Sequence, residues 1–205
     1  MRIAVPRGAL LEETLDLLDG LGLDTREVRA NDRKLLFEEA GLITMRPSDV
    51  PTYVEAGAAD LGVTGKDVLS EQSERAVYEL LDLGFGACRM VFATVEGEDV
   101  AAEALRRLGV MRIATKYPRI AAAYFERTGR QVEIVEVKGS VELAPLTGMV
   151  HGIVDLTATG TTLRENGLVI REEIAPSTAR LIANPVSYRV RAAEIDAVVR
   201  QLRAR

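Results

Sequence analysis

The stretch Ile153-Val154-Asp155-Leu156-Thr157-Ala158-Thr159-Gly160-Thr161-Thr162-Leu163 sets an apolar run, an acid and a turn of small hydroxyl residues in direct succession. It predicts a strand, a tight loop and the first turn of a helix over Leu163 to Asn166. The unpaired N–H groups at a helix start point outward, and the dipole there favours an anion. Threonine hydroxyls add donors at little steric cost, and Gly160 lets the backbone come close. An acid cannot help hold a phosphate, so Asp155 fits instead the hydroxyls of a sugar that carries one. The same T-G-T-T is also an ordinary β-to-α turn, with Asp155 as a local cap. The loop alone leaves both readings open.

The chain has 205 residues, 47% of them hydrophobic, enough for one large domain or two modest lobes. Aromatic residues are 4% and Trp is absent, so cores of Leu, Val, Ile and Ala are expected. A net charge of −5 argues against a nucleic-acid binder, whose footprint is a basic excess. It leaves room for a small anion held by a few placed arginines. Cys88 is the single cysteine, which excludes an internal disulfide; it lies in an apolar run and is expected as a buried packing residue. His151 is the single histidine, so no zinc site of the usual kind can be assembled, and no G-x-S-x-G turn exists. His151 reads as a surface residue at a helix end. The N-terminus is a short strand with no apolar segment behind it, and no run approaches the roughly 18 apolar residues of a spanning helix. A soluble, cytoplasmic protein with no membrane or nucleic-acid partner is expected.

Strand-like and helix-like segments alternate along the chain. Arg2 to Val5 is a strand stopped by Pro6-Arg7-Gly8, and Leu11, Leu15 and Leu18 recur at helical spacing. Asn31 to Lys34 is a polar turn before the short strand Leu35 to Phe37, and Leu42 to Met45 is another strand. Ser48 or Asp49 is placed to cap a helix carrying Val50, Val54 and Ala58. Asp60 to Thr64 is a strand, and Gly65-Lys66-Asp67 opens a helix. G-V-T-G-K fails as a P-loop, having two residues between the glycines and Asp67 after the lysine. Gly84-Phe85-Gly86 fails as a dinucleotide fingerprint, with Arg89 where the third glycine should stand.

Composition places a lobe boundary near the polar break Glu96 to Asp99. Beyond it come a helix to Leu108, a strand Arg112 to Thr115, a helix Arg119 to Arg127 and a strand Val132 to Val137. A short helix Val141 to Leu146, the loop described above and a strand near Leu168 to Ile170 follow. Ser177 to Ala183 is the final strand, and Arg191 to Arg203 an amphipathic helix with Ile195, Val198, Val199 and Leu202 inward. The alternation predicts an α/β protein with largely parallel sheets.

From Ile3 to about Arg203 the chain resembles the ATP phosphoribosyltransferase family in its short form. The family signature is matched by Glu142, Gly148, Ile153, Asp155, Leu156, Thr159, Gly160, Thr162 and Leu163. Val150 departs from it, where the pattern prefers a small residue. Collinear family-like stretches run from Ser48 to Leu69, Asp82 to Arg89, Ile113 to Pro118 and Ser177 to Asn184. The first loop also departs: the family commonly has Lys-Gly-Arg, and this chain has Arg7-Gly8-Ala9.

The resemblance implies a two-lobed fold like that of type II periplasmic binding proteins, with the active site in the inter-lobe cleft. It implies lobes of residues 1–89 plus 180–205 and 90–179. The implied reaction joins ATP to phosphoribosyl pyrophosphate, with Mg2+ carried by the substrate pyrophosphate rather than by a protein cage. By resemblance, Asp155 and Glu142 serve the ribose or its cationic transition state. Thr157, Ala158, Thr159, Gly160, Thr161 and Thr162 hold the phosphoribosyl group. Arg33 is the first choice for pyrophosphate, with Arg7 (beside Gly8) and Arg46 next. Arg46, Lys66, Lys116 and Tyr117 are candidates for ATP. The chain's length further implies a homodimer that assembles with a histidyl-tRNA-synthetase-like regulatory subunit. Two rivals are a two-lobed solute sensor without turnover and a purine-salvage phosphoribosyltransferase. The latter family usually carries two adjacent acids, where Val154-Asp155 offers one.

Overall fold

Ile3 to Pro6 form strand β1, and all four residues are buried. A strand with both faces covered reads as an unbroken apolar run, as this one does. The computed structural model describes residues 1–72 and 74–204. In chain order β1 is followed by a 3-10 turn (Gly8–Leu10), α1 (Leu11–Gly20), α2 (Arg26–Ala30), β2 (Leu36–Phe37) and β3 (Leu42–Met45). Next come α3 (Val50–Glu55), β4 (Leu61–Gly65), α4 (Lys66–Glu71), β5 (Tyr78–Asp82) and β6 (Cys88–Val95). Then follow α5 (Val100–Leu108), β7 (Met111–Thr115), α6 (Pro118–Arg127), β8 (Val132–Glu136), α7 (Leu143–Leu146) and β9 (Gly152–Thr157). The chain closes with α8 (Thr161–Glu165), β10 (Leu168–Ser177), β11 (Ala179–Ala183), α9 (Pro185–Val190) and α10 (Ala192–Arg203).

The chain divides into two compact units, Met1–Ala87 with Thr178–Arg205, and Cys88–Ser177. The boundary expected from composition at Glu96 to Asp99 is displaced. β6 precedes that break yet pairs with β9 and β10 of the second unit, so the polar segment is a turn inside it. The lobe limits expected at 89/90 and 179/180 lie two residues C-terminal to the divisions at 87/88 and 177/178.

The first unit holds a six-stranded sheet of order β2-β3-β1-β4-β11-β5. Its two faces separate cleanly. Ile3, Val5, Leu15, Leu18, Phe37 and Leu42 pack on one side with Ile195 and Leu202 of α10. Ala4, Ile43, Val50, Val54 and Ile182 pack on the other. The second unit holds a five-stranded sheet of order β10-β6-β9-β7-β8. Met90, Phe92, Val154 and Phe125 lie on one face; Val91, Ala93, Ile153 and Leu163 lie on the other.

Both sheets are mixed, which corrects the expectation of largely parallel pairing. β1 pairs parallel with β3 and β4, and β7 with β8 and β9; the other five pairings are antiparallel. β10 and β11 supply three of the antiparallel pairings. No helix separates them, so no crossover brings the chain back in the same direction.

Other expectations are also corrected. α3 ends at Glu55, so Ala58 lies beyond it, and Asp49 stands at its N-cap without a side-chain capping bond. The strand near Leu168 to Ile170 runs on to Ser177, and the final strand starts only at Ala179. Cys88 is half-buried rather than buried, being the first residue of an edge-proximal strand. His151 is not at a helix end. Its N–H donates to the Arg112 carbonyl at 2.8 Å and its Nδ1 accepts from the Arg112 N–H at 2.8 Å, extending the β9–β7 pairing.

A polar latch ties α6 to β10. Arg130 donates through both terminal nitrogens to Glu172, at 2.7 and 2.8 Å, and the Tyr124 hydroxyl donates to the same carboxylate. The Arg130 guanidinium also stacks over Phe125, 4.9 Å from its centroid. The Arg130 bonds, foremost, hold the Glu172 carboxyl below its ordinary pKa of 4.5. The latch therefore stabilises the fold above that value, and its contribution is lost as pH falls through the lowered folded pKa. Arg130→Met is expected to cost about 2 kcal/mol at neutral pH, with a smaller penalty in acid. Urea unfolding at both pH values measures it, and an equal penalty in acid would refute the carboxylate's part.

Candidate active site

The second unit gathers the sequence-predicted phosphoribosyl residues. β9 delivers Asp155 from the middle of the sheet, 7% exposed, with Thr157 closing the strand. Gly160 follows at φ +75 as the N-cap of α8, a left-handed conformation that only glycine adopts cheaply. An added Cβ there would meet an Arg164 nitrogen at 3.2 Å.

The loop is tied internally. The Gly160 N–H donates to the Thr157 hydroxyl at 2.8 Å, and the Thr159 and Thr161 hydroxyls lie 2.9 Å apart. Arg164 donates to the Thr159 carbonyl and to the Thr161 hydroxyl, each at 3.0 Å. Ala158, Thr159, Thr161 and Thr162 are exposed, whereas Gly160 is buried. The loop is therefore ordered by its own bonds.

Asp155 faces Lys116, whose Nζ lies 3.6 Å from Oδ1, and its own Oδ1 accepts the Leu156 N–H at 2.8 Å. Burial dominates and pushes the carboxyl above its ordinary pKa of 3.8; Lys116 and the Leu156 N–H oppose that rise, and the negative charge of Glu142 adds to it. Glu142, half-buried ahead of α7, thus acts on Asp155 through space. Lys116 sits 5.3 Å over the ring of Tyr117, which is itself buried. Sequence reasoning named Lys116 for ATP. The structure pairs it with Asp155, a contact between the neighbouring strands β7 and β9 that no local spacing reveals. Arg164 was missed altogether, although an arginine three residues after a T-G-T turn is a signal for such a clasp.

Arg7, Gly8, Arg33, Arg46 and Lys66 belong to the first unit. Arg7 donates to the Thr44 hydroxyl at 3.0 Å and to the Lys34 carbonyl at 2.8 Å, which ties the first loop to the polar turn carrying Arg33. Gly8 has φ +81, and Ala9 follows it in the 3-10 turn. Arg33 is exposed, its N–H donating to the Asn31 side chain at 3.2 Å. Lys66 is bound at 2.6 Å to Glu79. A cavity of about 550 Å3 opens in this unit beside Arg7 and Arg46, with Leu36, Ile43, Met45 and Tyr53 as apolar walls.

Two mixed sheets, the first completed by the last strand and two helices of the chain, define a two-lobed α/β class. The same fold occurs in the crystal structure of Tv2483 bound to L-arginine, which aligns over 100% of this chain and 83% of its own, with TM-score 0.62 at 14% identity. Within that class, residues 46–204 match the family model "HisG: ATP phosphoribosyltransferase". An ATP phosphoribosyltransferase of Rubrobacter xylanophilus is 56% identical over 95% of this chain and 91% of its own. The ATP phosphoribosyl transferase (HisG:HisZ) complex from Thermotoga maritima contains a chain that aligns with TM-score 0.82 and 34% identity, over 100% of this chain and 97% of that one. The chain belongs to the ATP phosphoribosyltransferase family, enzymes of the first step of histidine biosynthesis.

Lys116→Met removes the charge that opposes the rise of the Asp155 pKa. The acid limb of the kcat/KM profile is then expected to move to higher pH, because Asp155 takes up its proton sooner. A limb that stays put or moves down would exclude Asp155 as the group titrating there.

Proposed function

We propose that this chain transfers the phosphoribosyl group of phosphoribosyl pyrophosphate to N1 of ATP, with Asp155 as the charge that steadies the reacting ribose. The N1 lone pair forms the new bond to the anomeric carbon while the bond to pyrophosphate breaks and its electron pair leaves with that group. Positive charge grows on the ribose and negative charge on the leaving group. Catalysis of this kind needs positioning and fixed charge rather than a covalent nucleophile.

The observation that carries the reading is a carboxylate buried to 7% exposure, immediately ahead of an exposed, internally bonded threonine loop. A preorganised charge in a poorly hydrated setting acts strongly on a nearby cation. Thr157 to Thr162 would hold the 5-phosphate, and Asp155 with Glu142 the ribose hydroxyls. Arg33, Arg7 and Arg46 are offered for pyrophosphate, and the cavity beside Arg7 and Arg46 suits a flat base flanked by phosphates. Lys66 and Lys116 with Tyr117 remain candidates for ATP, although both lysines are held by carboxylates. Mg2+ would enter on the pyrophosphate, where it shields the leaving charge.

No helix among the described residues is long and apolar enough to cross a membrane, and a cytoplasmic setting is in keeping with the substrates. By likeness to the HisG:HisZ complex, a homodimer joined by a histidyl-tRNA-synthetase-like subunit is the assembly expected to carry feedback by histidine. Pyrophosphate release should require ATP and phosphoribosyl pyrophosphate together, measured with and without such a subunit. Binding of either substrate with no release under both conditions would overturn the proposal.

A further inference from the structure

Arg89 carries the one buried side-chain nitrogen or oxygen among the described residues that has no hydrogen-bond partner, its Nε. It stands directly opposite Thr157 in the antiparallel pairing of β6 with β9, in a register that runs without interruption from Arg89 to Ala93. Cross-strand partners hold their Cβ atoms about 5 Å apart on the same face. Alternation along β6 and β9 puts Arg89 on the face of Val91 and Ala93, and Asp155 and Thr157 on the face of Ile153. Arg89 therefore shares one sheet face, at one end, with the acid and the first hydroxyl of the threonine loop.

The other cations of that end are committed. Lys116 faces Asp155, and Arg164 spends its bonds on the Thr159 carbonyl and the Thr161 hydroxyl. Among the described residues the Arg89 side chain bonds Glu173 alone, through one terminal nitrogen at 2.9 Å, with both side chains close to half exposed. Exposed pairs of this kind contribute little and yield readily to a better partner. A phosphate dianion is that partner, because the guanidinium edge formed by Nε and a terminal nitrogen matches two phosphate oxygens at once.

We propose that Arg89 is a phosphate-binding residue of the phosphoribosyl site, taking the 5-phosphate of the donor with its Nε edge while Glu173 holds it in reserve. The proposal rests on the reading of Thr157 to Thr162 as the phosphoribosyl loop and adds a charged member from a different strand.

Equilibrium binding of phosphoribosyl pyrophosphate, ribose 5-phosphate and inorganic pyrophosphate to the full chain tests it by calorimetry. Arg89→Gln should weaken phosphoribosyl pyrophosphate and ribose 5-phosphate by the same factor, roughly 10- to 100-fold, and leave pyrophosphate unchanged. Arg89→Lys should recover only part of the loss, since an ammonium keeps the charge but not the fork. In turnover the Arg89→Gln defect should appear in the KM for phosphoribosyl pyrophosphate rather than in kcat. Glu173→Gln should bind ribose 5-phosphate as tightly as the parent chain or more tightly. Equal losses in Arg89→Gln and Glu173→Gln would overturn the proposal, by showing that the ion pair merely holds β6 to β10. So would weakening confined to pyrophosphate, or unchanged binding of all three ligands. If instead the parent chain binds ribose 5-phosphate and Gly160→Ala does not weaken it, the loop reading itself fails, a result separable from any effect at Arg89.

Discussion

Asp155→Asn is expected to lower kcat by on the order of 10²- to 10³-fold while leaving the fold at least as stable as before. The two halves of this expectation come from one fact, the burial of a charge. Burial raises the Asp155 pKa above 3.8, so the ionised side chain weakens the folded state at neutral pH. Stability from this group is greatest below the ordinary value and declines as pH rises through the raised folded value. Asn keeps the shape and the acceptor for the Leu156 N–H, and it removes the charge. Lys116, 41% exposed, is left to water at small cost. Steady-state rates and urea midpoints at neutral pH measure both halves. A variant with near-parental turnover removes Asp155 from the mechanism, and one that unfolds early contradicts the charge-burial account.

Gly152→Val should destabilise the second unit by about 3 kcal/mol, the upper part of the range for overfilling a tight core. Gly152 opens β9, and a Cβ there would lie 2.7 Å from the Phe92 ring and 2.9 Å from the Ala93 carbonyl oxygen. The ring has no easy retreat, since it packs edge-on to Phe125 with centroids 5.4 Å apart. The backbone oxygen belongs to β6, which is paired on both sides, and cannot give way without disturbing the β6–β9 pairing. Thermal unfolding followed by far-ultraviolet circular dichroism reads the loss. An unchanged midpoint would show that β9 shifts freely, against the central place the sheet order gives it.

Much of this architecture was legible in the residues. β1, β3, β4 and the helix faces follow from apolar periodicity, because each is buried on the sides its pattern declares. The loop after β9 was legible as a strand, a glycine turn and a helix start, and Gly160 indeed takes a left-handed backbone there. Strand direction was not legible. Pairing sense depends on which distant segment lies alongside, and the β10–β11 run lacks the helical connection that signals a parallel return. His151 was misplaced for a similar reason: its partner, Arg112, is remote in sequence. The electrostatic detail of the site was hidden as well. Lys116 meets Asp155 only because β7 lies beside β9, and Arg89 meets Thr157 only because β6 does.

The shape of β10 has a consequence for how this chain can change length. Its ten residues line eight partners on β6, and the surplus falls at Arg171 and Ile174. Because each surplus residue stands outside the alternation, a deletion there leaves Glu172 turned toward Arg130 and Glu173 toward Arg89. A deletion at a paired position moves the neighbouring side chains to the opposite face. The register is thus kept on shortening at two points and lost at the rest; Arg171 also donates to the Thr94 hydroxyl and the Gly97 carbonyl, so shorter variants should be recoverable at Ile174 before anywhere else along the strand.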